Sequence, residues 1–290
     1  MTLFAEQYRS TVFIVFSEIM ITKGIFSMKM IKPFLLSTVV AASLTLYGCA
    51  NSPTGRQQIL LFSGTQMSQL GAQSFEEIKA QEKINTDKKT NAYVQCVSNA
   101  ITARIASKTD FTEWEVVVFD SEQINAFALP GGKIGVYSGL LKVAVNQDQL
   151  ATVIGHEIGH VMANHSNERL SRSQLANTGL QLSNVALGGS EYQSMAMAGL
   201  GLGVQYGVLM PYGRAQESES DTIGLKLMAE AGFDPQQSIN LWENMSKASG
   251  GNQPPELLST HPSNSTRIQN LKAEIAALPA INVKRQNCKL

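Results

Sequence analysis

The sequence predicts an α+β, mainly helical domain with a small β-sheet or hairpin beside one chemistry-bearing helix. Three observations carry this. Helical apolar spacing recurs through most of the chain after residue 60, whereas strand-like runs are confined to Trp114–Tyr137. Three of the 4 histidines, His156, His160 and His165, fall within one helix-patterned segment. No internal repeat and no linker divides the chain after residue 60, so residues 61–290 read as one domain.

The elements follow in order. Lys29 and Lys32 precede an uncharged, mostly apolar run, Phe34–Tyr47, closed by Leu46-Tyr47-Gly48-Cys49. The run is shorter than the about 20 residues of a membrane-spanning helix and suits a signal-peptide core. A small residue before a cysteine resembles the lipobox of bacterial lipoproteins, which makes Cys49 the expected lipidation site and 28–48 the expected signal peptide. An uncleaved membrane anchor is the alternative. Ala50, by analogy with sorting in enteric bacteria, points to the outer membrane and a periplasmic address. Residues 1–27 place Glu18 and a second apolar patch ahead of this leader and read as an extension before a true start at Met28. Residues 49–60, polar and containing Pro53 and Gly55, read as a tether.

Beyond the tether, helices are expected over Gln66–Lys83 and Asn91–Ile105, and a strand over Trp114–Asp120. Ile124–Leu141 reads as a strand, a Pro-Gly-Gly turn and a second strand ending at Tyr137. Gln147–His165 is expected as a single helix. Ser171–Leu209, rich in Gly, Ala, Leu and Met, reads as a packed helical hairpin, and its position between the candidate ligands makes it a candidate lid. Helices over Arg214–Ala231, Pro235–Lys247 and Pro262–Leu278 complete the domain.

Composition limits the functions. The 290 residues carry 23 basic and 23 acidic side chains, and this balance lacks the positive field that nucleic-acid binding requires. At 43% hydrophobic the chain can bury a core and is not disordered. The 3 cysteines are too few for a disulfide scaffold. If Cys49 carries lipid, Cys96 and Cys288 remain as a pair in an oxidising compartment, where they are expected to bond and tie the C-terminal tail to the Asn91–Ile105 helix.

The chemistry centres on His156-Glu157-Ile158-Gly159-His160, an HExxH motif. Residues four apart on a helix differ by about 40° in azimuth and about 6 Å in height, so two imidazoles can converge on one ion. Glu157, about 100° round from His156, can reach a metal-bound water without being a ligand. A third ligand at the metzincin position is missing: residue 166 is Ser, and on a continuing helix His165 points elsewhere. The next candidate stretch is Arg214–Asp221, where Glu217 and Asp221 share a face and Glu219 points about 200° away. Glu217 can then serve as ligand and Asp221 as the carboxylate that orients a ligating histidine. A solvated acidic helix face is the plain alternative for this stretch.

HEIGHVMANHS followed by YGRAQESESD resembles the HtpX-like zinc metallopeptidases, the HExxH plus ExxxD group that also contains the CAAX prenyl proteases. The likeness covers roughly Gln66–Leu278 and extends to the NAFALPGG hairpin and to Ser259-Thr260-His261-Pro262 followed by Arg267. It is nearest to small periplasmic lipoprotein members. What the resemblance implies is a zincin-like domain binding one Zn²⁺ through His156, His160 and Glu217, with Asp221 behind the ligands. It selects Glu217 over Glu219, and it shows Ser220 where the family usually has Ala.

The expected activity is a zinc endopeptidase in which Glu157 is the general base. His261 is the candidate oxyanion donor, with Arg267 as helper and Tyr212 as runner-up; helix capping by His261 carries equal weight. Asn125, Ala126 and Phe127 with Lys133, Ile134 and Gly135 form an expected edge to which an extended peptide adds as a strand. The substrates implied by the resemblance are unfolded or misassembled envelope proteins, with an envelope assembly machinery as a further partner. The reading from a different class is a catalytically silent envelope lipoprotein acting as a chaperone or assembly factor; the intact HExxH argues against it. Processing of prenylated tails is a third reading, disfavoured by the missing membrane spans.

Overall fold

The computed structural model describes residues 49–109, 111, 113–186, 197, 200, 210–248 and 265–290, without the side chains of residues 49, 210–212 and 265–266. The chain divides into two compact units, Met1–Cys49 and Ala50–Leu290. The expected leader over 28–48 and the extension over 1–27 lie outside the described residues. The architecture is that of the second unit, an α+β domain in which helices predominate.

Two short strands, β1 (Cys49–Asn51) and β2 (Gln57–Ile59), pair as a ribbon. The stretch expected as a tether, 49–60, is held by hydrogen bonds. Ser52 N–H donates to the Arg56 carbonyl at 2.8 Å, and Gly55 turns the chain at φ +89°. Ser52 and Gln58 are buried among groups more than one hundred residues away, which no local pattern announces.

Helix α1 (Gly64–Gln81) starts in a capping box: Ser63 Oγ accepts from Gln66 N–H, and the Gln66 side chain accepts from Ser63 N–H. Helix α2 (Lys88–Thr102) starts where Asp87 accepts from Thr90 N–H at 2.7 Å. Both begin slightly earlier than apolar periodicity suggests, because the caps rather than the apolar positions set the start.

Strands β3 (Glu115–Phe119), β4 (Ala126–Leu129) and β5 (Lys133–Tyr137) form a sheet in the order β3-β5-β4. The β4–β5 hairpin turns through Gly131 and Gly132 at φ +83° and +74°. A β-carbon on Gly132 would lie 2.4 Å from the Glu113 carbonyl oxygen, so both backbone and space demand glycine there. The topology corrects one expectation. Lys133, Ile134 and Gly135 are not at an edge, because β5 is the central strand, parallel to β3 on one side and antiparallel to β4 on the other. Lys133 pairs with Glu115 across the strands at 2.8 Å, and the Phe127 and Phe119 rings cover Gly135. Among the described residues β3 and β4 are the two outer strands, with Ala126 and Phe127 on β4 and Asn125 just before it.

Helix α3 (Gln147–Met162) is the centre of the domain, buried at every position from Asp148 to His160. Asn146 Oδ1 caps it by accepting from Asp148 and Gln149 N–H. Around it pack α2, the inner face of the sheet, α5 (Met210–Glu230) and α6 (Gln237–Ala248). Helix α7 (Ser265–Ala277) lies on α5 and α6. The single helix expected over Gln147–His165 is in fact two. Asn164 takes φ 53°, the chain turns, and α4 (His165–Ala186) begins. Most of the candidate lid beyond residue 186 lies outside the described residues.

The disulfide Cys96–Cys288 is formed and ties the C-terminal tail to α2. The tail is also stitched to the start of α3, where Gln147 accepts from Cys288 N–H at 2.7 Å and donates to the Gln286 carbonyl at 2.9 Å. Among the described residues no helix is long and apolar enough to cross a membrane.

Candidate metal centre

Two helices build the centre, and small residues let them meet. Gly155 on α3 lies against Gly224 on α5, and one turn later Gly159 lies against Ser220. The Ser220 hydroxyl donates to the His156 carbonyl, so the residue that departs from the family's Ala has a definite partner. At this crossing His156 and His160 of α3 face Glu217 of α5, and their ligand atoms all lie within 4.8 Å of one another.

The separations are 3.1 Å between the two Nε2 atoms, 3.3 Å from His156 Nε2 to Glu217 Oε2, and 3.4 Å from His160 Nε2 to Glu217 Oε1. Ligands about 2.0–2.1 Å from a tetrahedral zinc ion stand about 3.3 Å apart, so the donor set fits zinc and leaves one position open. Two imidazoles and a carboxylate also match the metal's borderline preference. Zinc is the cation these residues fit.

Behind the ligands, His156 Nδ1 lies 2.9 Å from Asp221 Oδ1. Arg267 grips Asp221 with two nitrogens, each at 2.7 Å, and reaches Glu217 with a third at 3.2 Å. Burial alone pushes the His156 ring toward its neutral form, but Asp221 and Glu217 outweigh it and raise its pKa to about 9. Burial likewise opposes the Asp221 charge, and His156 with Arg267 overcomes it, holding the carboxyl below its usual range. The guanidinium of Arg267 stacks 4.3 Å from the Trp242 ring centroid. Arg267, expected as an oxyanion helper, is therefore directed at the carboxylates.

Glu157 is buried and lines a small cavity with Thr152, Val153, His156, Leu241 and Trp242. A second cavity of about 100 Å³ runs from His160 to Pro130 and Gly131 of the hairpin turn, past Met67 of α1. Tyr212 lies on α5 with its side chain outside the described residues, as does all of His261.

The sequence reading missed a second polar cluster on the far side of His160. His165 is fully buried, with Nδ1 2.7 Å from His160 Nδ1 and Nε2 3.1 Å from Glu219 Oε2. Glu219, pointing away from Glu217 as helical geometry requires, accepts from Arg56 Nε at 2.8 Å and from the hydroxyls of Ser52 and Thr54. Arg56 also pairs with buried Glu168 through both terminal nitrogens, at 2.8 and 2.7 Å. The signal for it in the sequence is a third histidine five residues after the motif, which only the break at Asn164 brings back beside His160.

Comparison with known proteins agrees with this centre. Residues 88–275 match the profile described as Peptidase family M48. The chain is 35% identical over 198 residues to the mitochondrial metalloendopeptidase OMA1 of Schizosaccharomyces pombe, covering 68% of this chain and 56% of that protein. It is 37% identical over 173 residues to its Saccharomyces cerevisiae counterpart, covering 57% and 48%. It is 30% identical over 205 residues to the beta-barrel assembly-enhancing protease of Yersinia pestis, covering 68% and 41%. The chain thus spans about half the length of these relatives. With the matched region running from α2 into α7 and all three ligands inside it, the chain belongs to peptidase family M48.

Proposed function

We propose that the chain is a zinc-dependent metalloendopeptidase acting on unfolded or misassembled proteins of a bacterial cell envelope. The observation that carries this reading is the convergence of His156, His160 and Glu217, with Glu157 beside the first ligand, in a chain of a peptidase family. A bound zinc ion supplies polarisation of the scissile carbonyl and a water whose pKa falls to about 7.

The chain's own residues do the rest. Glu157 takes the proton of the attacking water and returns it to the leaving amine. Asp221 orients His156, and Arg267 offsets the charge that Glu217 and Asp221 bring into a buried site. His261 donates to the developing oxyanion, with Tyr212 as a second donor. An extended substrate adds through its backbone to β4, an outer strand of the sheet among the described residues. Recognition of that kind tolerates many side chains, which suits unfolded polypeptides.

Two relatives named beta-barrel assembly-enhancing protease, from Yersinia pestis and Escherichia coli, support the envelope setting and an assembly machinery as partner. The run Met28–Cys49 supports a periplasmic, lipid-anchored address at Cys49, and Ala50 favours the outer membrane.

The test is zinc content and casein cleavage by the purified chain alongside Glu157→Gln and Glu217→Ala. One zinc per chain and cleavage of casein are expected. Glu157→Gln should keep zinc and lose nearly all turnover, whereas Glu217→Ala should lose both. Wild-type cleavage by Glu157→Gln would overturn the mechanism. A zinc-loaded wild-type chain without activity would favour a silent assembly factor.

A further inference from the structure

The two histidine ligands are held from behind in different ways. His156 Nδ1 meets the Asp221 carboxylate directly at 2.9 Å. His160 Nδ1 instead meets a second ring, His165 Nδ1, at 2.7 Å, and only beyond that ring stands a carboxylate, Glu219. We infer that His165 is a positioning residue that passes the influence of Glu219 to His160 and fixes a proton on His160 Nδ1, and that the ribbon residues Ser52, Thr54 and Arg56 hold this relay in place. The inference rests on the zinc-site reading.

The proton count leaves one arrangement. A metal bound through His160 Nε2 uses that nitrogen's lone pair, so the neutral ring keeps its proton on Nδ1. Two ring nitrogens 2.7 Å apart share one proton, so His165 Nδ1 accepts it. The proton of His165 itself is then on Nε2, aimed at Glu219, and an ionised carboxylate can only accept. Reversing the relay would put a proton on His160 Nε2, between His156 Nε2 at 3.1 Å and Glu217 Oε1 at 3.4 Å, where the cation has to sit.

The backbone is shaped for this contact. On an unbroken helix, residues five apart diverge by about 140° in azimuth, and the rings of residues 160 and 165 would not meet. The left-handed turn at Asn164 (φ 53°) brings His165 back beside His160. Beyond the relay an arginine follows the carboxylate, as on the other arm. Asp221 ends on Arg267, and Glu219 ends on Arg56, whose remaining nitrogens are taken up by Glu168. Each ligating ring therefore leads, directly or through His165, to a carboxylate that an arginine holds.

The test is zinc competition against a chelator in the full chain, for the wild type and for His165→Phe, His165→Asn and Arg56→Met. His165→Phe should weaken zinc binding by about 10–100-fold. His165→Asn places an amide oxygen where the ring's Nδ1 accepts, and it should recover most of the loss. Arg56→Met should weaken binding in the same direction without touching either ring. A packing role alone would make His165→Asn as weak as His165→Phe, and that result, or equal affinities throughout, would overturn the relay.

Nitrogen-15 spectra of the zinc-loaded wild type give a readout that needs no variant to fold. They should show protons on His160 Nδ1 and His165 Nε2, and a bare His160 Nδ1 would end the proposal. A wild type that binds no zinc would instead defeat the metal-centre reading itself.

Discussion

Gly224 of α5 presses on Gly155 of α3 so closely that a β-carbon at 224 would lie 2.7 Å from the Gly155 carbonyl carbon. This approach is what lets Glu217, two turns earlier on α5, reach both histidines of α3. Gly224→Ala must push two backbones apart, at a cost of about 1–3 kcal/mol. It should also weaken zinc binding, since the third ligand is carried outward with α5. Gly213, on the same helix, has no heavy atom within 4 Å of a built β-carbon among the described residues. Gly213→Ala should therefore raise stability by up to about 1 kcal/mol through helix propensity. Denaturant unfolding of the two variants side by side checks the contrast.

Arg267 sits 4% exposed between Asp221 and Glu217, so its charge is part of what allows two carboxylates to be buried together. Arg267→Met leaves them facing each other without that cation and should cost about 3–5 kcal/mol. The measurement is unfolding in chelator, where no metal takes over the missing charge. A loss below 1 kcal/mol would mean the carboxylates are stabilised by other means.

Glu168 gives the domain an acid-sensitive element. Burial opposes its charge, but Arg56, Gln216 and Gln58 together hold its pKa down from 4.5 to about 2. Because the folded value lies below the unfolded one, the unfolded chain takes up the proton first. The stabilisation is present in full above about pH 4.5 and drains away as pH falls toward 2. Glu168→Gln should be less stable than the wild type at neutral pH, and the difference should narrow across that window. Unfolding midpoints at a series of pH values check both the sign and the window.

The legible parts of the centre were those written in local sequence. His156, Glu157 and His160 are one helical turn, and the Glu217–Asp221 pair is another, so periodicity alone places the two histidines on one face with Glu157 beside it and the two carboxylates on a second face. The cysteine pairing could be expected only by setting Cys49 aside as a lipidation site, which leaves two of the 3 cysteines to pair. His165 could not be placed, because its position depends on a single left-handed residue, Asn164, that side-chain periodicity does not register. The role of Arg56 was hidden for a different reason. Its partners Glu168 and Glu219 lie 112 and 163 residues away, and a short polar stretch with Pro and Gly looks the same whether it is loose or bonded. The central place of β5 was hidden likewise, since its parallel pairing with β3 is non-local whereas its hairpin with β4 is local.

The proposed addition of a substrate strand falls on β4, an outer strand of the sheet among the described residues. Tyr137 N–H donates to the Asn125 carbonyl at 3.1 Å, and the antiparallel register runs on through Phe127↔Gly135 and Leu129↔Lys133. Alternation then directs the backbone groups of Ala126 and Ala128 away from β5, toward the outer side of the sheet. Ala126 N–H already bonds the Asn125 side chain at 2.9 Å, so Ala128 offers the donor for an incoming strand. Ala128→Pro removes that donor, and proline is tolerated at an edge where it breaks no internal ladder bond. The expected result is about a tenfold fall in casein turnover, the worth of one hydrogen bond at about 1.4 kcal/mol, with zinc content unchanged. Lys133→Ala, on the central strand, removes only a partly exposed ion pair with Glu115 and should leave turnover as it is. Wild-type turnover in Ala128→Pro would show that substrates do not pair with β4, and a loss confined to Lys133→Ala would move the binding edge elsewhere.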